Sequence, residues 1–282
     1  MHNDKGRIIL ITGATDGLGL GVAKLLAASK STLLLHGRNP AKGQAVLEEF
    51  RNTINNRHIR YYNCDFASLT EVRLFAATIA KDEERLDVLI NNAGIGAGPQ
   101  VKYRETSQDG YELRFAVNYL APYLLTNLLL PLLQRAAQKS GTARIINVVS
   151  HSQEVLDFDN PMLERDYNGG RAYRQSKLAL VMFTFELARK LMGSGVTVNA
   201  LHPASLMNTK LVRNWPLKPK NPVKKGAEAV AYLATSDKLK RVTGQFFYGK
   251  RHAVALIQAY DVLSRVRLLE LSEQWTTIQP QE

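Results

Sequence analysis

Two groups of residues in this sequence have types and spacing suited to chemistry. In the first, Ile8–Gly19 (IILITGATDGLG), an aliphatic run breaks into Thr12, Gly13, Ala14, Thr15, Asp16, Gly17, Leu18 and Gly19 before an apolar helical pattern resumes. A buried strand, a glycine turn and a helix, in that order, make an anion site. Glycines let the backbone turn tightly and approach a pyrophosphate, and the free amides and positive dipole of the helix face its charge. The second group is Tyr173 and Lys177, four residues apart and so on one face near the start of a helix expected from Ala172 to about Met192. A phenol of ordinary pKa, ~10, is a poor base at neutral pH unless a neighbouring cation stabilises its phenolate, and Lys177 is spaced to do so.

Further polar residues stand where strands end. The run Thr32–Leu35 is followed by His36, Gly37, Arg38 and Asn39, at the place where such folds read the adenosine ribose. A carboxylate there accepts from a 2′-hydroxyl, whereas an arginine accommodates a 2′-phosphate. Arg38 therefore favours NADP(H) over NAD(H), the alternative being a solvated loop arginine; Lys42 either assists or faces water. After the strand Ile59–Asn63, Asp65 either meets an adenine amine or caps the helix that starts near Ser68. Asn91, Asn92, Ala93 and Gly94 follow the strand Val88–Ile90, where small residues let a cofactor lie across the sheet edge. Asn118, inside a long apolar helical pattern from Gly110 to about Gln138, needs a hydrogen-bonding partner. Ser150 closes the strand Arg144–Val149, and His202-Pro203 closes Val196–Leu201.

Strands and helices alternate along the whole chain, ending in a strand near Gln245–Tyr248 and a helix from about Val254 to Gln274. That order predicts an α/β fold, a doubly wound parallel sheet of about seven strands with helices on both faces, as a single domain over residues 1–282. Two long irregular stretches, about 151–171 and 204–224, read as substrate loops.

A 282-residue chain with 45% hydrophobic residues has ample core. Cys64 is the lone cysteine, which excludes an intramolecular disulfide or a cysteine zinc site and suits a reducing compartment. The first strand begins near Ile8, leaving no room for a cleavable leader, and the run Leu120–Leu133, with Asn127 and Pro131, reads as too short to span a bilayer. The expectation is a soluble cytoplasmic protein without a metal site. The formal charge of +12 comes from basic residues scattered along the chain, which reads as a generally basic surface rather than a nucleic-acid site. Peripheral membrane contact and homo-oligomerisation through the apolar helices stay open.

Together, TGATDGLG, NNAG, Asn118, Ser150 and the run Tyr173-Arg174-Gln175-Ser176-Lys177 resemble the short-chain dehydrogenase/reductase family over nearly the whole chain. The resemblance implies a Rossmann-type fold and transfer of hydride between a nicotinamide cofactor and an alcohol or carbonyl. It implies Tyr173 as acid/base, Lys177 on the nicotinamide ribose, Ser150 on the substrate oxygen and Asn118 as support for a proton-relay water. It also assigns Gly13, Thr15, Asp16, Gly17, Leu18 and Gly19 to the phosphate turn, Arg38 to the 2′-phosphate and Asp65 with Phe66 to the adenine. Asn92, Ala93 and Gly94 form the cofactor shelf, with Tyr173, Lys177 and Pro203 completing the contacts. The sequence departs from the family in places: Val149-Ser150 replaces a common serine pair, Asp16 stands where some NADP-binding relatives carry a base, and Pro203-Ala204 replaces Pro-Gly. Ser152 is the weaker substitute for Ser150, and Thr209 is placed to reach the nicotinamide amide.

The gap between Ser150 and Tyr173 and the tail QAYDVLSRVRLLELSEQW look like the branch containing retinol dehydrogenases and lipophilic carbonyl reductases. Phe158, Tyr167, Leu206, Met207 and Trp215 then either line an apolar substrate site or pack the loops; His151 is a polar contact or a loop histidine. The expected function is NADP(H)-dependent interconversion of a small apolar alcohol and its ketone or aldehyde. The alternative is a non-catalytic NADP(H)-sensing regulator on the same fold.

Overall fold

The computed structural model describes residues 6–28, 31–54, 56, 58–213 and 218–277. Strands β1 (Ile8–Ile11), β2 (Thr32–Gly37), β3 (Ile59–Asn63), β4 (Val88–Asn91), β5 (Ala143–Val148), β6 (Val196–His202), β7 (Phe246–Tyr248) and β8 (Arg251–Ala253) form one sheet in the order β3-β2-β1-β4-β5-β6-β7-β8. All pairings are parallel except β7 with β8. The winding reverses between β1 and β4, and such a switch point opens a crevice at the carboxyl ends of the strands.

The aliphatic strands serve two cores by alternation. On one face Leu10, Leu34, Leu89, Ile145, Val198 and Phe246 pack with α3 (Leu69–Asp82), α5 (Ala121–Ser140), α6 (Gly169–Lys190) and α9 (Val262–Thr276). On the other, Ile9, Ile11, Leu33, Leu35, Val88, Ile90 and Phe247 meet α1 (Gly17–Ala27), α2 (Pro40–Thr53) and α8 (Val223–Thr235). The short helices α4 (Leu113–Phe115) and α7 (Lys210–Arg213) lie in the connections.

The elements depart from expectation in several places. The sheet has an eighth strand, because Gly249 (φ 59) turns the chain back on β7 and a three-residue strand carries almost no periodic signal. The helix expected from Gly110 begins at α4, after the N-cap Glu112, and passes through a π turn, Ala116–Leu120, before α5. Together they make a helix, Leu113–Ser140, long and apolar enough to cross a membrane by length and composition. Its most apolar 18-residue window is 72% buried, as part of a helix that covers the sheet, so the short run Leu120–Leu133 lies within a longer helix that is used as core.

The tail is also broken. After β8 come a 3-10 turn (Ile257–Tyr260) and Asp261, whose carboxylate accepts the Ser264 N–H at 2.8 Å and caps a new helix, α9. α9 covers α6 and the π turn: Tyr119 and Ser272 share a hydrogen bond, Arg265 pairs with the buried Glu186, and Phe115 meets Trp275 edge-on at 5.6 Å. These helices are therefore partly covered from within the chain. Finally, α6 starts three residues early, at Gly169, capped by Asn168. A side chain at Gly169 would collide with the Ala97 carbonyl, which explains a glycine in a helical first turn.

Candidate active site

Ser150 stands just past the end of β5, and Tyr173 lies in the first turns of α6, buried across the crevice from it. The Ser150 side chain neighbours the Tyr173 hydroxyl, and Ser150 Oγ accepts the Ser152 N–H at 3.0 Å. Ser150, not Ser152, therefore faces the tyrosine. Burial raises the Tyr173 phenol above its ordinary pKa, partly offset by the neighbouring Ser150 side chain, so the phenol is neutral and ready to give a proton. Lys177, one turn on, is buried; its ammonium donates to the Val148 carbonyl at 3.2 Å and lies 5.9 Å from the Tyr173 ring centroid. Burial lowers its pKa to about 8, leaving it charged at neutral pH.

Asn118 lies in the π turn, which aims its amide at the crevice loop. Its Nδ2 donates to the Ile95 carbonyl and to Ser176 Oγ, both at 3.0 Å, while its Oδ1 accepts the Ile95 N–H at 2.8 Å. The partner demanded by a buried amide is thus the loop after β4 and the helix of Tyr173. All four expected catalytic residues meet at the carboxyl ends of β4 and β5.

On the cofactor side, Gly13 (φ 65) and Gly17 (φ 49) carry the left-handed turns that glycine allows without strain. A Cβ at Gly19 would strike the Gly13 carbonyl, so helix and turn can approach this closely only through glycine. Asn92 Nδ2 donates to the carbonyls of Thr12 (2.8 Å) and Gly13 (3.1 Å), and Thr12 Oγ1 accepts the Asn92 and Ala93 N–H groups. The shelf after β4 is thereby pinned to the turn after β1.

Asp16 caps α1 by accepting the Gly17 N–H at 2.7 Å, and its other oxygen lies 3.4 Å from Lys42 Nζ. Thr15 packs behind Gly37: a Cβ there would lie 2.8 Å from Thr15 Cγ2, so the position opposed to Arg38 has no room for a carboxylate side chain. Arg38 is exposed between β2 and the N-cap Asn39. Ser68, not Asp65, caps α3; Asp65 Oδ1 instead accepts the Ala67 N–H at 3.0 Å. The Phe66 ring is buried, stacked on His36 at 4.3 Å, so toward the crevice Phe66 offers main chain only. Pro203 follows β6 and packs near Gly226 of α8. Leu18 is buried, and the methyl group of Thr209 leans on Gly17, over the phosphate turn.

The crevice fits a dinucleotide. A Cβ on Gly94 would lie 3.0 Å from Asn118 Oδ1 and 3.3 Å from Lys177 Nζ, filling the space a ribose needs. The buried Lys177 ammonium, with the Val148 carbonyl as its acceptor, retains donors for ribose hydroxyls.

On the substrate side, three of the loop residues take the packing alternative. Tyr167 donates to Glu112 at 3.0 Å, Phe158 packs under the Arg267 guanidinium (4.8 Å), and Met207 packs against Gly226. These three hold the loops in place. Leu206 takes a strained left-handed conformation (φ 49), and Trp215 lies outside the described residues.

A cavity of about 260 Å³ beside Ser150 is instead lined by His151, Gln153, Val254, Ala255 and Leu256. Gln153 ties its two walls together: Nε2 donates to the Ser150 carbonyl and Oε1 accepts the Leu256 N–H, both at 2.8 Å. Gln258 repeats the clasp on the main chain of Leu156. Residues 254–256 read as the start of a helix in sequence, and no local signal places them at the site.

The profile of the short chain dehydrogenase family matches residues 7–220. Human (Homo sapiens) retinol dehydrogenase 13 is 39% identical over 276 residues, covering 91% of this chain and 80% of that protein. Among solved structures, 3-ketoacyl-(acyl-carrier-protein) reductase from Brucella melitensis complexed with NADH aligns with TM-score 0.70 and 25% identity, over 86% of this chain and 96% of that one. The NADPH-bound carbonyl reductase from chicken fatty liver aligns with TM-score 0.72 over 89% and 95%, and at 24% identity it shows the fold. The chain belongs to the short-chain dehydrogenase/reductase family. Within it, the chain falls in the retinol dehydrogenase-like branch, an oxidoreductase of alcohols and carbonyls.

Proposed function

We propose that this protein is an NADP(H)-dependent oxidoreductase that interconverts an apolar alcohol and its ketone or aldehyde. The observation that carries the reading is the buried Tyr173 beside the buried Ser150, with the Lys177 ammonium one turn along the same helix and 5.9 Å from the Tyr173 ring centroid. When bound, the nicotinamide cofactor supplies or accepts the hydride. Ser150 orients the substrate oxygen against the Tyr173 hydroxyl. In the reductive direction Tyr173 gives that oxygen its proton, and in the oxidative direction it takes the proton back. Lys177 stabilises the phenolate left behind and holds the ribose; Asn118 keeps the loop at Ile95 and the helix at Ser176 in place around them.

Preference for the 2′-phosphate rests on Arg38 and on the closed space at Gly37. An apolar substrate is supported by the aliphatic wall Val254–Leu256 beside Ser150 and by similarity to a retinol dehydrogenase. The test is oxidation of NADPH and NADH by the purified protein against aldehydes, ketones and quinones, with binding of both cofactors followed in parallel. Turnover of apolar carbonyls with NADPH is expected. Tight binding with no turnover in either direction would replace the enzyme by a nucleotide sensor.

A further inference from the structure

We infer that His36 is a positioning residue that sets the shape of the dinucleotide cradle by holding Gly13 and Cys64 at the same time. The inference rests on the reading of the Gly13–Gly19 turn as a dinucleotide site. The imidazole is buried in β2, one residue before the strand's end. Its Nδ1 accepts the Gly13 N–H at 3.2 Å, and its Nε2 lies 3.0 Å from the Cys64 carbonyl. An amide N–H needs an acceptor and a carbonyl needs a donor, so the ring is neutral with its proton on Nε2. The His36 carbonyl also accepts the Ala14 N–H at 2.8 Å.

One residue thereby joins the carboxyl ends of three strands. Gly13 opens the turn assigned to the pyrophosphate, Gly37 and Arg38 follow His36 itself, and Asp65 and Phe66 follow Cys64. The ring is clamped flat by Phe66, stacked at 4.3 Å and 16°, and by Phe75 at 5.0 Å. Gly13 has positive φ, a conformation open to a flexible glycine but not imposed on it, and the acceptor at Nδ1 selects it. Burial holds the imidazole pKa near 4, so the acceptor is not lost to protonation at neutral pH. The His36 ring acts on the cradle through its bond to Gly13, its stack on Phe66 and the chain after Cys64.

Two substitutions separate its two bonds. His36→Asn puts an amide oxygen near the place of Nδ1 and keeps an acceptor for Gly13. His36→Gln reaches toward Cys64 in place of Nε2 and gives that acceptor up. Dissociation constants for NADPH and NADH are measured by calorimetry on the wild-type protein and both variants, with thermal midpoints recorded alongside. The Asn variant is expected to bind both within about threefold of wild type, and the Gln variant about tenfold more weakly for both, since the lost bond does not touch the 2′-phosphate. NMR of the ¹⁵N-histidine-labelled protein should show His36 with Nε2 protonated and Nδ1 bare. Equal affinity of the two variants, weakening that only tracks their thermal midpoints, or the opposite tautomer overturns the proposal. Wild-type protein that binds neither dinucleotide overturns the reading of the site and the proposal with it, an outcome distinct from equal binding by the variants.

Discussion

Asn118 Nδ2 donates to Ser176 Oγ at 3.0 Å, and Ser176 Oγ donates in turn to the Tyr173 carbonyl at 2.8 Å. The π turn that carries Asn118 is thus bonded to the main chain beneath the proposed proton donor, while the other edge of the same amide holds Ile95 beside the cofactor shelf. Ser176→Ala removes the middle of that chain and leaves Asn118 with an unmet buried donor. Its kcat should fall about tenfold with cofactor affinity unchanged, the size of one lost hydrogen bond expressed as misplacement of Tyr173. Steady-state kinetics beside a binding isotherm reads both.

The carboxylate of Glu112 is buried, accepts the Phe115 N–H (2.7 Å) and the Tyr167 hydroxyl (3.0 Å), and lies 3.5 Å from Arg114. Tyr167→Phe keeps the ring and removes one donor from a buried acceptor, which costs about 1–3 kcal/mol. The thermal midpoint should drop by several degrees, and KM for the carbonyl substrate should rise more than kcat falls, because the loop rather than the acid is loosened. An unchanged midpoint would show that this bond does not hold the loop.

Arg38→Asp should weaken NADPH about 10–100-fold more than NADH, because a phosphate loses a charge-assisted partner and gains a repelling carboxylate. Equal losses for the two cofactors would show that Arg38 does not read the 2′-phosphate.

Burial lowers the Lys177 pKa from 10.5 to about 8. The ammonium is present below about pH 8 and lost above it, so cofactor affinity should be level up to about pH 8 and decline beyond. Lys177→Met should bind more weakly and lose that decline. The linked effect on folding has the opposite direction: between pH 8 and 10.5 the unfolded chain keeps a proton that the folded one has shed, so this group's contribution to stability rises with pH.

Where a residue's role is written in its neighbours along the chain, the sequence was legible. The strand, glycine turn and helix around Gly13, the ends of β4 and β5, and the Tyr173–Lys177 face all follow from local pattern, and the structure brings them together as that pattern requires. Other features depend on distant chain. Asn118 signalled a missing partner, but only the packing of Ile95 and Ser176 shows which. Phe158, Tyr167 and Met207 read by composition as substrate contacts or as loop packing, since an aromatic or thioether side chain serves either purpose, and in the structure they tie the loops. The cavity wall at Val254–Leu256 is set by Gln153, 103 residues away from its Leu256 partner, and the role of His36 by Gly13 and Cys64. The break at Asp261 carries an Asp-x-x-Ser cap, masked in the sequence by the apolar residues on both sides.

In the proposed reaction Tyr173, beside Ser150, gives the proton. That step is tested most directly by comparing NADPH-driven carbonyl reduction by the wild-type protein and Tyr173→Phe, with the NADPH dissociation constant measured on the same preparations. Loss of the acid alone should lower kcat by about 10²–10⁴-fold and leave the dissociation constant nearly unchanged. A variant that turns over at close to the wild-type rate would contradict it.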